Sequence, residues 1–235
     1  MARAEYAQLP AGARTGGQEP AVTATTISLP RLYSILDAAF FLSTRDLVDY
    51  AKALAAGGCT LLQYRNKSGN ARLMLEQARE LHRQSRARAP APHVPRLIMN
   101  DRADLCLIAG FDGVHVGQGD LLPESVRSII GRERWLGVST HNPEQMREAD
   151  RTSADYFAIG PVFSTSSKDR PDPVVGLEGV RRARQLTRKP LVAIGGITRA
   201  NAASVIEAGA DSVAVISDLL REPRKSAEEF FRVLR

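Results

Sequence analysis

Cysteine is scarce in this chain: two residues, Cys59 and Cys106, among 235. They lie far apart in apolar surroundings, so neither a disulfide framework nor a zinc spacing is in sight, and a reducing cytoplasm is the expected setting. Histidine is nearly as sparse, and His82, His93, His115 and His141 follow no metal-ligand spacing. Of these, His115 and His141 read as structural or loop residues. Aromatics make up 6% of the chain, and no apolar run is long enough to span a bilayer. The first residues also lack the apolar core of a secretory signal. Charge is not concentrated either. The net charge of +6 comes from scattered arginines, many within 72–88 and 181–188, where they read as solvated helix faces. Without a basic stripe interleaved with aromatics, nucleic acid is not an expected partner, nor is a membrane. What is present is ordinary for a soluble domain: 43% hydrophobic and 25% charged residues. The length allows one large domain or two small ones.

Residues 1–30 are rich in Ala, Gly, Thr and Pro and have few large apolar side chains to bury, which predicts an unstructured tail ahead of one domain over 31–235. From Leu32 a unit recurs: short apolar strand, polar turn, amphipathic helix. Strands are expected at Leu32–Leu36, Thr60–Tyr64, Leu97–Met99, Gly113–Val116, Trp135–Val138, Tyr156–Ile159, Leu191–Ile194 and Ser212–Ile216. Helices are expected at Thr44–Ala56, Asn70–Arg86, Ala103–Ala109, Pro123–Ile130, Pro143–Ala149, Gly176–Leu186, Arg199–Ala208 and Ala227–Leu234. Ser43 or Thr44 starts the first helix and Gly57-Gly58 stops it. Eight such units in about 200 residues predict an α/β fold, the (β/α)8 TIM barrel. The strands lack clean alternation, as expected where both faces are covered. A doubly wound open sheet is the runner-up, weakened by the absence of an early GxGxxG.

In such a barrel the active site lies where the strands end. The polar residues at those ends form a consistent set: Gln63, Arg65 and Lys67; Asn100 and Asp101; Asp120; Ser139; Thr165, Ser167 and Lys168; Gly195-Gly196; and Ser217. Asp101 and Asp120 are matched carboxylates past the third and fourth strands. On one rim they suit a hard cation such as Mg²⁺, which takes oxygen ligands and substrate phosphates. Singly, each would be a common turn former or helix cap. Arg65, Lys67 and Lys168 supply charge-assisted donors for phosphate oxygens. With the metal they are enough for a diphosphate. Gly195-Gly196 lets backbone approach an anion, and the Ser217–Leu220 segment can present N–H groups, which together suit a monophosphate. A small molecule joining two phosphorylated pieces is the inference.

The ordered motifs resemble the thiamine phosphate synthase family over about Leu32 to Leu220. They are Gln63-Tyr64-Arg65-Asn66-Lys67, Asn100-Asp101, Gly113 to Leu121, Gly137-Val138-Ser139, Gly160 to Lys168, Ile194 to Ile197 and Val215-Ile216-Ser217. Ser167 stands where the family often has a second threonine, and Gly119 where it often has Glu. The resemblance implies the TIM barrel and a transferase reaction in thiamine biosynthesis. The diphosphate ester of 4-amino-5-hydroxymethyl-2-methylpyrimidine meets 4-methyl-5-(2-phosphoethyl)thiazole and gives thiamine phosphate and diphosphate. It implies that Gln63, Arg65, Lys67, Asn100, Ser139 and Lys168 hold the pyrimidine diphosphate. Asp101 and Asp120 would hold Mg²⁺, and Thr165, Ser167, Gly196, Ile216 and Ser217 the thiazole phosphate. Arg65, Lys67, Ser139 and Lys168 are then the catalytic set. The aminopyrimidine stabilises a cation at its methylene carbon, so little acid–base machinery is required. A homo-oligomer is compatible with the pattern. A related barrel, the thiazole tautomerase, needs no diphosphate site, and the joint presence of Arg65, Lys67, Asn100, Asp101 and Asp120 argues against it. A phosphate-binding regulator without turnover is the rival of another class.

Overall fold

Eight short strands run parallel and close on themselves in sequence order, first against last. They are β1 (Leu32–Asp37), β2 (Leu61–Arg65), β3 (Arg96–Asn100), β4 (Gly113–Val116), β5 (Trp135–Thr140), β6 (Tyr156–Ile159), β7 (Leu191–Ile194) and β8 (Ser212–Val215). A computed structural model of the chain describes residues 27–88, 94–165 and 172–235. Around the barrel lie α1 (Thr44–Ala56), α2 (Ala71–Arg88), α3 (Ala103–Ala109), α4 (Pro123–Ile130), α5 (Pro143–Asp150), α6 (Gly176–Leu186), α7 (Ala202–Glu207) and α8 (Pro223–Val233). The fold is the (β/α)8 barrel expected from the alternation.

Local chemistry accounts for the helix ends. Ser43 accepts the Asp46 N–H at 3.2 Å and caps α1. Before α5, Asn142 accepts from Gln145 N while Gln145 Oε1 accepts from His141 N, so each side chain satisfies one backbone donor at the helix entrance. Proline opens α4, α5 and α8, where its missing N–H costs nothing. Two helix starts differ from the sequence reading by three residues or more. The last helix begins at Pro223, one turn before Ala227, because that proline occupies the first turn. The seventh begins at Ala202, not Arg199, because Thr198–Asn201 closes a turn of its own: Thr198 N donates to Asn201 Oδ1 at 2.8 Å. β5 runs two residues past Val138, so Ser139 lies inside the strand.

The period of two along each strand sorts the side chains. Leu32, Leu36, Leu62, Leu97, Met99 and Val114 join the large core between sheet and helices. Tyr33, Ile35, Leu61, Ile98, Tyr156, Ala158, Val192 and Ala214 fill the barrel itself. Ile27 and Leu29 pack against this inner cluster. Residues 1–26 of the proposed tail lie outside the described residues.

At the end where strands begin, one device occurs three times. Asp112, just before β4, takes the Leu97 N–H on its carboxylate at 2.8 Å and gives its own N–H to Leu97 O at 2.9 Å. Asp155 does the same with Leu136, and Asp211 with Leu191. Each carboxylate is also gripped by an arginine from an even-numbered helix: Arg86, Arg127 and Arg184 respectively. Each Asp thereby ties two neighbouring strands and a helix together. This end of the barrel serves stability, not chemistry. Asp155→Ala leaves the buried Leu136 N–H and the Arg127 guanidinium without that carboxylate. Urea unfolding should give a loss of about 1–3 kcal/mol, with substrate affinities unchanged because the site is at the other end.

Candidate active site

At the opposite end the inward positions change from apolar to polar. On β2, Leu61 is followed at steps of two by Gln63 and Arg65; on β3, Ile98 by Asn100; on β4, Gly113 by His115; on β5, Gly137 by Ser139. Register brings them level: Asp37 pairs with Arg65, and Asn100 with His115. The result is a cavity of about 150 Å³ above the inner cluster. Of the sequence-predicted residues, Gln63, Arg65, Asn100, Ser139, Thr165, Gly196, Ile216 and Ser217 line it. Ser167 and Lys168 lie outside the described residues.

Asp101, Lys67 and Asp120 gather at the rim beside Asn100. Lys67 forms an ion pair with Asp101. Burial, foremost, raises the Asp101 carboxyl above its usual range, while the Lys67 ammonium pulls it down and the adjacent Asp120 carboxyl adds to the rise. The two carboxyls are therefore within interaction distance, as the matched strand ends predict. Asp120 Oδ2 also accepts the Gly117 N–H at 2.8 Å, which folds the Gly117–Asp120 turn onto itself. Among the described residues no three acidic, histidine or cysteine side chains converge into a complete metal cage. A site of two carboxylates fits Mg²⁺, which is held by one or two such groups and otherwise by phosphate oxygens and water. Asp101 itself has φ of 62°, the one non-glycine residue with positive φ among those described.

Two polar side chains are short of partners or differently partnered from the expectation. Asn100 Nδ2 is buried with no hydrogen-bond acceptor among the described residues. Asn100 lines the cavity, so this unpaired donor is open to an acceptor that enters it. Arg65 forms an ion pair with Asp37, a buried residue at the tip of β1 that the sequence reading passed over. Asp37 also accepts the Ala39 N–H at 3.1 Å, and so looks locally like a cap. Its inward position, two residues past Ile35, is the signal that was available.

Across the strand 6–7 side, Gly195 and Gly196 have φ of 101° and 63°. A Cβ on Gly196 would lie 2.5 Å from Ser164 O. Close backbone approach, not turn-making alone, is what glycine provides here. Ser217 opens a short 3-10 turn, Ser217–Leu219, at the same edge.

Beneath the cavity lies a set of polar groups that sequence reasoning did not connect. Gln63 Nε2 donates to the Tyr33 hydroxyl at 2.9 Å. The Tyr33 and Tyr156 hydroxyls are 3.0 Å apart, Tyr156 and His115 Nδ1 3.2 Å, and His115 Nε2 and Ser139 Oγ 2.9 Å. Burial pushes the His115 imidazole down to about 4, with the Asp120 charge opposing, so the ring is neutral at ordinary pH. Burial likewise raises both phenols well above their usual value. His115 was expected to be a structural or loop residue. It is structural, but it also lines the cavity and contacts a predicted site residue. His141 lines the cavity too, with Nδ1 2.6 Å from Gly160 O.

A model of the thiamine monophosphate synthase family matches residues 32–219. The chain belongs to that family. A thiamine-phosphate synthase of Koribacter versatilis is 58% identical over 214 residues, covering 90% of this chain and 99% of that one. One from Chloroflexus aurantiacus is 44% identical over 189 residues, covering 80% and 83%. The solved thiamine phosphate pyrophosphorylase of Pyrococcus furiosus superposes with a TM-score of 0.75 at 30% identity, covering 87% of this chain and 95% of that one. This family member is thus an enzyme with the barrel fold of its relatives. No helix among its described residues is long and apolar enough to cross a membrane.

Gly137 supports the site from below. A Cβ there would overlap the Tyr156 ring and His115 Nδ1, both rigid and both buried. Gly137→Ala should therefore lower the urea midpoint by an amount worth about 1–3 kcal/mol, the usual cost of overpacking. An unchanged midpoint would mean that the floor of the site yields more readily than its packing implies.

Proposed function

We propose that this enzyme joins the pyrimidine diphosphate ester to the thiazole monophosphate and releases thiamine phosphate and diphosphate. The observation that carries the reading is that the Asp101 carboxyl lies against Lys67 and Asp120, one residue past Asn100, which with Arg65 lines one edge of a cavity. Its other edge is glycine backbone and the Ser217 hydroxyl. The first edge suits a leaving diphosphate, the second a monoester that is carried through unchanged.

Asp101 and Asp120 would hold Mg²⁺, which when bound supplies positive charge against the departing diphosphate. Arg65 and Lys67 neutralise Asp37 and Asp101 in the free enzyme and are positioned to turn to phosphate oxygens; Lys168 joins them. Gln63, Asn100 and Ser139 orient the pyrimidine ring, and the orphaned Asn100 Nδ2 gains its acceptor there. Thr165, Ser167, Gly196, Ile216 and Ser217 hold the thiazole phosphate, which sets the ring nitrogen in line with the methylene carbon. The C–O bond breaks toward the charged edge, the aminopyrimidine carries the developing cation, and the thiazole nitrogen closes on it. Rate enhancement comes from fixed charge and alignment, and no side chain is needed as a base. Both cysteines are buried free thiols, consistent with work in the cytoplasm.

The direct test is formation of thiamine phosphate from the two precursors with Mg²⁺. Asp101→Asn and Asp120→Asn should each lower kcat/KM by about 100-fold or more, the scale of several kcal/mol of lost charge stabilisation, while the melting temperature moves little. Full activity of Asp120→Asn at low Mg²⁺ would refute the metal assignment. Lys168→Ala should raise the KM of the pyrimidine ester by about tenfold, as for loss of one charge-assisted contact, and leave the KM of the thiazole unchanged.

A further inference from the structure

We propose that the buried chain Gln63–Tyr33–Tyr156–His115–Ser139 is ordered in one direction, and that Tyr33, Tyr156 and His115 are positioning residues. They would present an acceptor at Gln63 and a donor at Ser139 to the ligand. The chain crosses the barrel floor through β2, β1, β6, β4 and β5. Every link is between 2.9 and 3.2 Å.

The order follows from counting hydrogens. The Gln63 amide nitrogen can only donate, so the Tyr33 oxygen accepts from it. A phenol has one hydrogen, and for Tyr33 the only neighbouring acceptor among the described residues is the Tyr156 oxygen, so that is where it goes if no hydrogen is left unpaired. Tyr156 has then accepted, and its own hydrogen goes to the remaining neighbour, His115 Nδ1. No carboxylate hydrogen-bonds the imidazole, and a neutral ring has a single N–H. With Nδ1 accepting, that hydrogen sits on Nε2 and is donated to Ser139 Oγ. The Ser139 hydrogen is left for the cavity. At the other end, Gln63 lines the same cavity, and its Oε1 remains as an acceptor. Reversing one amide would reverse every link and exchange the two roles, so the five groups act as a unit.

The consequence for the ligand rests on the proposed function. A 4-aminopyrimidine offers an exocyclic N–H and, next to it, a ring-nitrogen lone pair. Acceptor at Gln63 and donor at Ser139 match that edge. A 4-oxo analogue offers the opposite order, carbonyl and ring N–H, and meets acceptor with acceptor and donor with donor. Rejection of such an analogue would be set by the residues that fix the direction of the chain, not by Gln63 and Ser139 alone.

Nitrogen-15 NMR of histidine-labelled protein, with the His115 signal assigned from its loss in His115→Gln, reads the order in the free enzyme. The expected result is an Nε2–H tautomer with Nδ1 unprotonated. An Nδ1–H tautomer would overturn the proposal whatever the enzyme catalyses. In Tyr156→Phe the donor to Nδ1 is gone. The Nε2–H signal should lose its dominance, and the pyrimidine-ester KM should rise by about tenfold, as for an unpaired buried group. The thiazole KM should stay the same, which general damage to the barrel would not produce. Tyr33→Phe breaks the link that sets the direction and serves as the second variant, with the same expected signature. An unchanged tautomer and unchanged pyrimidine KM in both folded variants would refute the ordering. Loss of the proposed reaction itself would show as no thiamine phosphate from the wild-type enzyme, and the tautomer measurement would still stand.

Discussion

A closed parallel barrel imposes one constraint on every strand: alternate side chains enter a space that no solvent and no helix can share. Near the strand starts that space is filled by Ile98, Leu61, Val192 and their neighbours, and the requirement is met by dispersion and burial. Toward the strand ends the same alternation delivers Gln63, Asn100, His115 and Ser139. Polar groups in such a place must find hydrogen-bond partners or lose several kcal/mol each. Most find one another across the floor. Asn100 Nδ2 does not, and that deficit points upward, to where a ligand would sit. The site is thus the level at which the barrel stops satisfying itself.

Charge is distributed by the same logic. Among the described residues the two rim cations are already paired, Arg65 with Asp37 and Lys67 with Asp101. An unpaired guanidinium or carboxylate at these half-buried positions would carry a desolvation cost with nothing to offset it. Pairing holds the side chains in place at the rim. Asp120 has no such cation within its own turn, where it accepts the Gly117 N–H. Its approach to Asp101 gathers negative charge beside the Lys67 ammonium and adds to the rise of the Asp101 carboxyl.

Much of this was legible from the sequence because strand periodicity and strand ends are local properties. Asp101 and Asp120 stood out as carboxylates past consecutive strands, and the barrel follows from eight repeats of one unit. The hydrogen-bond chain was not legible. Tyr33 and Tyr156 are 123 residues apart, and in a strand each reads as a large core aromatic. That their hydroxyls meet depends on closure between β1 and its neighbours and on Gly137 leaving room, neither of which a single segment reveals. The helix starts at Pro223 and Ala202 were misplaced for a related reason. Apolar spacing finds the buried face of a helix, whereas its first turn is decided by proline and by side-chain caps that carry no apolar signal. Asp37 was missed because one carboxylate at a strand end is indistinguishable from a cap until Arg65 is beside it.

Aspartate appears at both ends of the barrel in opposite capacities, and the backbone tells them apart. Asp112, Asp155 and Asp211 sit before strands in relaxed conformations, each with an N–H, a carbonyl and an arginine engaged. Asp101 sits after a strand at φ of 62°, where a side chain costs of order 1–3 kcal/mol unless the surroundings hold it. They do hold it. Asp101 N donates to His115 O at 2.8 Å, and Arg102 N to Asn100 O at 2.8 Å. Glycine would adopt the same turn at lower cost but would bring no carboxylate. The backbone bond that holds this turn comes from His115, the residue whose ring joins the hydrogen-bond chain of the floor. One strand tip thus joins the Asp101 carboxyl to the hydrogen bonds beneath it. The two halves of the site are in this way mechanically a single piece.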